Sequence, residues 1–467
     1  TLNSFDNQYR PDTDKTPFGD ALCYDSVDNL IFASASHAST NTVAVNQGLV
    51  KVSSFYRSNG NLEIPYAIIR SPIPQNSSTF GASLFVQSSS TLKTLLISAP
   101  GFSDPAYNKD TGAVFRFDIE IQNENTKTFT GLTATITTST VYPVASGTNA
   151  TFDIILENGE YTVTSVNTGS GYFANTVLTI TGDRLGGINP TNDLKLIIEN
   201  VNASGSIESI IPKYFEGARR SFLYSTSSQQ MMLPLPGVFN FYDTTDTVSN
   251  EFGYKITGRL DGTVIAVSAP GWKTGIGSVH IYKLMAGNYQ VIQSILPDNL
   301  EFNGRLTYGT RLGTEILMSD TGSYLFISST NIDDGATNPG KVWVYEEVNG
   351  YYEFLQLLEN PSTEPNLRFG CAISANSSAT IITVTSQGTS FFQGTTFDSG
   401  YTTFDSNSCK FGSLVPESGT AYVYNRYNKK FLLGQELFDS TSIKEKSYYG
   451  ISVHVDNDDV YIGSPGA

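Results

Sequence analysis

Side chains able to do chemistry are scarce in this chain. There are three histidines (His37, His280 and His454) and three cysteines (Cys23, Cys371 and Cys409). Each histidine stands in or beside a stretch that reads as a strand, where a lone imidazole is a structural residue. An odd, sparse cysteine set is no disulfide framework, and no spacing suits zinc. Cys23 and Cys371 read as small buried apolar residues. The densest acidic spots are "NIDDG" (331–335) and "DNDD" (456–459). Both read as hairpin turns, where Asp and Asn cap their own backbone. A glycosidase would need two carboxylates about 5–10 Å apart, and no motif selects a pair. Gly-x-Ser-x-Gly, P-loop and HExxH patterns are absent from the sequence. The expectation is therefore no catalytic residue, no metal ligand and no cofactor.

Composition sets the class. Of 467 residues, 15% are charged and 12% are aromatic, with 41 Gly and 19 Pro. That profile suits strands and turns better than surface helices. The net charge of −16 repels phosphate and argues against a nucleic-acid groove. No apolar run is long enough for a membrane anchor.

A repeat supplies the architecture. A Phe-Gly pair or a variant occurs at Phe18-Gly19, Phe80-Gly81, Phe252-Gly253, Leu312-Gly313, Phe369-Gly370 and Tyr449-Gly450. The base period is about 60 residues. An apolar strand ending in small residues follows each pair, as in "LLISAPG" (95–101), "IAVSAPG" (265–271) and "YIGSPG" (461–466). A glycine then opens an alternating strand, as in "GAVFRF" (112–117), "GSVHIY" (277–282), "GKVWVY" (340–345) and "GTAYVY" (419–424). An aromatic strand closes the unit, as in "YQVIQSIL" (289–296). "FLYSTS" (222–227) and "GVFNFY" (237–242) read as a degraded third unit without its Phe-Gly pair. The count is then seven units of about four strands, with the last one incomplete. Such units arranged radially make a seven-bladed β-propeller. The glycines permit close backbone approach, and the aromatic of each pair is expected to plug the space between units.

These marks together resemble the FG-GAP repeat, the blade unit of integrin α-chain propellers, and are closer to its bacterial and phage version. Integrin-type blades carry an Asp-x-Asp-x-Asp-Gly calcium loop. The corresponding loops here, "TGRLDGT" (257–263), "SDTGSY" (319–324) and "VDNDDV" (455–460), lack alternating carboxylates, so calcium binding is not implied.

The long gap between Phe80 and Phe252 holds different text, rich in Thr, Asn, Ile and Val. It reads as a small inserted β-domain over 125–215, splitting the propeller into 1–124 (blades 1–2) and 216–467 (blades 3–7). Its segments "ATFDI", "YTVTSVNTGSGY", "LTITGDRLGG" and "NDLKLIIENV" resemble a module of marine cyanophage virion proteins.

The two resemblances imply a structural protein of a phage virion, in the tail nozzle or tube. Its expected partners are copies of itself in a ring, other tail proteins and fibres, and the host surface. An adhesin reading a ligand through blade loops is the alternative, with 125–215 or the aromatic 387–417 loop as reader; a polysaccharide-degrading enzyme comes third. The N-terminal stretch "SFDNQYRPDTDKTPFG" reads as the aromatic strand before a Phe-Gly pair. The Gly-Val strand of the last unit is expected beyond Ala467.

Overall fold

The computed structural model describes residues 19–25, 30–38, 46–56, 61–62, 67–87, 92–104, 109–123, 126–138, 147–157, 160–186, 193–215, 220–224, 230–233, 250–297, 309–330, 340–362, 367–387, 391–394, 412–415, 419–438 and 449–464. They form an all-β protein built from antiparallel sheets, whose one α-helix among these residues is the single turn Trp272–Gly275.

Three sheets have four strands in simple chain order with hairpin pairing. The first of these three holds Ile256–Gly258, Val264–Ala269, Ser278–Met285 and Asn288–Ile295. The next holds Ile316–Met318, Tyr324–Ser329, Lys341–Val348 and Tyr351–Glu359. The last holds Phe369–Ala375, Ile381–Ser386, Thr420–Tyr427 and Lys430–Leu437. Alternation of β-branched and aromatic residues fits both faces of such strands, because each sheet is covered on two sides. Upstream, Leu22–Asp25, Leu30–Ala35 and Leu49–Tyr56 form a sheet whose third strand also pairs Ala67–Arg70. Downstream, Ser452–Asp456 and Asp459–Gly463 form a hairpin.

The sheet between them corrects the sequence count. Leu84–Gln87, Leu92–Ala99 and Ala113–Asn123 are its first three strands. Its fourth position is split between Arg220–Tyr224 and Gln230–Met232, both paired with Ala113–Asn123. Residues 222–224 are therefore the outer edge of this sheet and do not open a third unit. The chain after 215 returns to the second sheet, so the boundary at 216 does not begin new blades. Gly112, at the head of that sheet's third strand, bridges directly to Phe252. The unit opened by Phe252-Gly253 is thus the spatial neighbour of the one opened by Phe80-Gly81, with no unit between them. A strand's apolar pattern says that it pairs, not with which sheet, and this is why 222–227 misleads. Residues 237–242 lie outside the described residues.

The text between Asn123 and Arg220 holds the surplus strands. Asn123 and Arg220 are paired residues, so the insertion replaces one outer hairpin turn. Within it, Lys127–Thr133, Thr148–Glu157 and Glu160–Ser170 form one sheet, and Thr135–Thr138, Val177–Ile180, Leu194–Val201 and Ile207–Phe215 form another. Phe152, Ile154, Leu178, Leu194, Leu196 and Ile198 are buried together between these sheets, in a core with no member from the repeat units.

The first strands of consecutive units lie side by side in chain order, from Leu22–Asp25 through Leu84–Gln87, Ile256–Gly258, Ile316–Met318 and Phe369–Ala375 to Ser452–Asp456. The second, third and fourth strands of the three four-stranded sheets follow in order away from this series.

Candidate functional site

The repeated residues meet at the seams between units. At each described pair the glycine has a positive φ, from +86° at Gly450 to +104° at Gly19. Its missing side chain leaves room for the preceding unit: a Cβ on Gly81, Gly313 or Gly370 would fall 2.7–2.8 Å from the Cβ of Ser34, Ser268 or Ser328. The apolar partner of four of the six pairs is buried in a cluster drawn from two units. Phe80 stands among Phe32, Val50 and Val52 on one side and Leu95, Ile97 and Phe115 on the other. Phe252, Leu312 and Phe369 repeat this placement at the next three seams. Phe18 lies outside the described residues. Tyr449 is half-buried and Gly450 buried.

The serine of the "SAPG" mark does more than turn a strand. The main-chain N–H two residues after each pair donates to it: Ser83 to Ser98 Oγ at 2.8 Å, Lys255 to Ser268 Oγ at 3.0 Å, Glu315 to Ser328 Oγ at 2.9 Å. Ala21 to Ser34 and Ala372 to Thr385 follow the same rule. One small hydroxyl residue thus holds its own unit's Phe-Gly segment while its Cβ receives the next unit's glycine. In the last hairpin Gly463 takes that place, and the carbonyl of Gly463 still accepts from Gly450 N–H.

A third seam element was not read from the sequence. On the last strand of three successive sheets a glutamine hydrogen-bonds both backbone groups of an aromatic residue in the next unit. Gln230 accepts from Tyr289 N–H and donates to its C=O, both at 2.9 Å. Gln293 does the same with Tyr352 at 2.7 Å twice, and Gln356 with Phe431 at 2.9 Å twice. Only part of it leaves a mark in the sequence: Gln293 and Gln356 each follow an aromatic, Tyr289 and Tyr352, by four residues, whereas Gln230 has Thr226 at that place. Gln293→Ala should lower stability by about 1–3 kcal/mol, since two bonds are lost and two partly buried backbone groups are stranded. Urea denaturation compared with an exposed Gln→Ala change checks this.

Among the described residues the titratable groups are dispersed. His280 is buried, with Nε2 3.0 Å from Ser278 Oγ and Nδ1 2.9 Å from Ser294 Oγ. Burial pushes its pKa down to about 3, so the ring is neutral where most enzymes work. In the unfolded chain it titrates near ~6.5. Between those values the unfolded state binds the extra proton, so stability falls as pH is lowered through this window, by up to about 1.4 kcal/mol per pH unit. His280→Asn should flatten that part of the stability–pH curve, and the imidazole NMR signal should show no midpoint above about pH 4.

Asp20, Ser36 and His37 do come together. Asp20 Oδ2 accepts from Ser36 N–H at 2.8 Å and from Ser36 O–H at 2.5 Å, while His37 Nδ1 is 3.0 Å from Ser36 Oγ. The order is wrong for nucleophilic catalysis. The serine proton points at the carboxylate instead of the imidazole, and Ser36 is buried. The group ties Asp20, next to Gly19, to the end of the neighbouring strand. His454 lies on the last hairpin with its ring 6.3 Å from Tyr461.

Asp456 and Asp459 pair across that hairpin, and Asn457 between them has φ +53°. "DNDD" is a turn, as its composition suggests. "NIDDG", Cys409 and residues 395–411 lie outside the described residues. Phe391–Gly394 pairs with Gly412–Val415 as a hairpin within the 387–417 segment. Cys23 and Cys371 are free thiols whose pKa burial raises. Among the described residues no three His, Cys, Asp or Glu side chains are grouped to hold a metal. No described helix is long and apolar enough to cross a membrane.

No family model and no curated protein matches the chain. Among solved structures that match, one is a Bacteroides fragilis protein provisionally named a 6-phosphogluconolactonase. It is 10% identical, with a TM-score of 0.34, and the match covers 95% of this chain and 86% of that one. A likeness at that level carries neither a fold nor an activity across.

Proposed function

We propose that the chain is a structural subunit of a phage particle, in the tail nozzle or tail tube, arranged with copies of itself in a ring and offering a platform to other tail proteins and fibres. In this reading the sheets are blades of a β-propeller, with their first strands around the axis. Of the seven units counted in the sequence, the one assigned to 222–242 is withdrawn. No catalytic step is assigned.

The observation that carries the reading is the insertion. Its sequence resembles a cyanophage virion module, and it leaves the second sheet between paired residues Asn123 and Arg220. A module with its own core, mounted on an outer turn, can meet a neighbouring subunit without disturbing the seams. The test is mass photometry of the whole chain beside a variant in which 124–219 is replaced by an Asn-Gly turn, with cryo-EM of any ring. A ring that the variant loses while keeping its β-sheet circular dichroism supports the reading. A whole chain that stays monomeric and binds cells or polysaccharide sinks it, and turns attention to the hairpin at 391–415 as an adhesin's reader.

A further inference from the structure

Among the ion pairs of the described residues, Lys93 with Asp25 is set apart by burial. Its side chains are 2% and 0% exposed, whereas every other pair has at least one side chain 22% exposed or more. The surroundings are apolar. Asp25 pairs with Leu30 across its hairpin and Lys93 with Ile119, and both partners are buried in one core with Leu84 and Leu95. Lys93 Nζ lies 2.5 Å from Asp25 Oδ2. That oxygen is bonded to Cγ, so the lysine nitrogen stands at attack range of the carboxyl carbon. Holding an amine and an acid in contact replaces their encounter in solution with an effective concentration of about 10⁵ M or more.

Two physical facts favour a bond over a pair of ions. Ions cut off from water are costly, and passing one proton from the ammonium to the carboxylate leaves an amine and a carboxylic acid, both neutral. These are the forms that condense. Water is the other product, and a site closed to solvent does not return it to the bond. We propose that Lys93 and Asp25 condense within the folded chain to an amide, a covalent clamp between the first strand of one sheet and the second strand of the next. Nζ attacks Cγ, and the N–C bond forms. One carboxyl oxygen leaves as water, with one proton from the acid and one from the amine. No oxidant, reductant or co-reactant enters. The ion pair is the state from which the amide forms, and the two strands keep their places. Cys23, two residues before Asp25, carries the other nucleophile on this strand. Burial, and then the charge of Asp25, raise its pKa, so the thiol stays protonated and leaves the carboxyl to the lysine. This goes beyond the virion reading and does not rest on it, because the argument is the contact between two side chains.

Intact-mass spectrometry of the folded whole chain, fresh and after being held warm, tests the proposal. The expected result is a species lighter by one water, present at once or growing with time, that the chain kept unfolded in guanidinium does not form. Trypsin does not cut after an acylated lysine, so the bond should appear as residues 16–51 joined to residues 71–109. Lys93→Arg keeps the cation and should keep its full mass. Asp25→Asn should lose ammonia in place of water and give the same joined peptides. A natural chain that keeps its full mass throughout overturns the proposal. So does loss of water without the joined peptides, which assigns it to a succinimide elsewhere, or a loss that Lys93→Arg leaves intact. If Lys93→Arg fails to fold, the joined peptides of the natural chain, set against the guanidinium sample, decide the question alone.

Discussion

Replacing Gly277 by alanine should cost about 3 kcal/mol or more and split the cooperative unfolding of the chain. Gly277 heads a third strand with φ +93°, and a Cβ there would fall 2.3 Å from the carbonyl oxygen and 2.4 Å from the nitrogen of Leu312. Both atoms are backbone, so neither can swing aside. Leu312 N–H already donates to Ile276 O, and Gly277 bridges Leu312. The substitution therefore has to push one unit off the next, opening the cluster where Leu312 meets Ala266, Val279, Ile316 and Ile327. A control separates this from simple backbone strain. Gly287 has φ +82° but open space where its Cβ would be. Its alanine variant should lose only about 1–2 kcal/mol, the penalty of the left-handed conformation. Guanidinium unfolding of the two variants makes the comparison. Equal losses would mean that close approach at the seam contributes nothing beyond conformation.

The same geometry explains what was legible beforehand. A glycine whose Cβ position is occupied by a neighbour's backbone has no substitute, so Gly112, Gly277, Gly340 and Gly419 recur at fixed places and reveal the repeat. Phe80, Phe252, Leu312 and Phe369 are visible for a related reason: only a large apolar side chain fills the space between two sheets. The serine of "SAPG" was visible as a mark, but its double duty depends on two units meeting in space. Gln230, Gln293 and Gln356 were hidden among polar residues, because a glutamine on an outer strand has many ordinary readings. The misplaced third unit has another origin. Arg220–Tyr224 is separated from its partner strand by the whole insertion, and strand pairing across such a distance leaves no local trace. At the candidate site, the meeting of Asp20, Ser36 and His37 could not be foreseen from spacing, since Asp20 reaches the others through a turn of the fold.

One seam carries a buried ion pair that no motif announced, and Lys93→Met should be among the most damaging single changes in the chain. Lys93 Nζ lies 2.5 Å from Asp25 Oδ2, with the two side chains 2% and 0% exposed. Asp25 belongs to the first strand of one sheet and Lys93 to the second strand of the next. Removing the ammonium leaves the carboxylate buried without its cation, a loss of about 3–5 kcal/mol. Desolvating both ions is itself expensive, so the pair need not be a net stabiliser over an apolar pair of the same volume. The double change Asp25→Leu with Lys93→Met should therefore recover most of the loss. A coupling energy of about 2 kcal/mol or more between the two positions, read from urea midpoints of the four proteins in the cycle, is the expected result. The direction of the recovery carries the physics. A double variant as stable as the natural chain means that the ions orient one sheet on the next without adding strength. One that stays as weak as Lys93→Met means that the pair's geometry itself holds the seam.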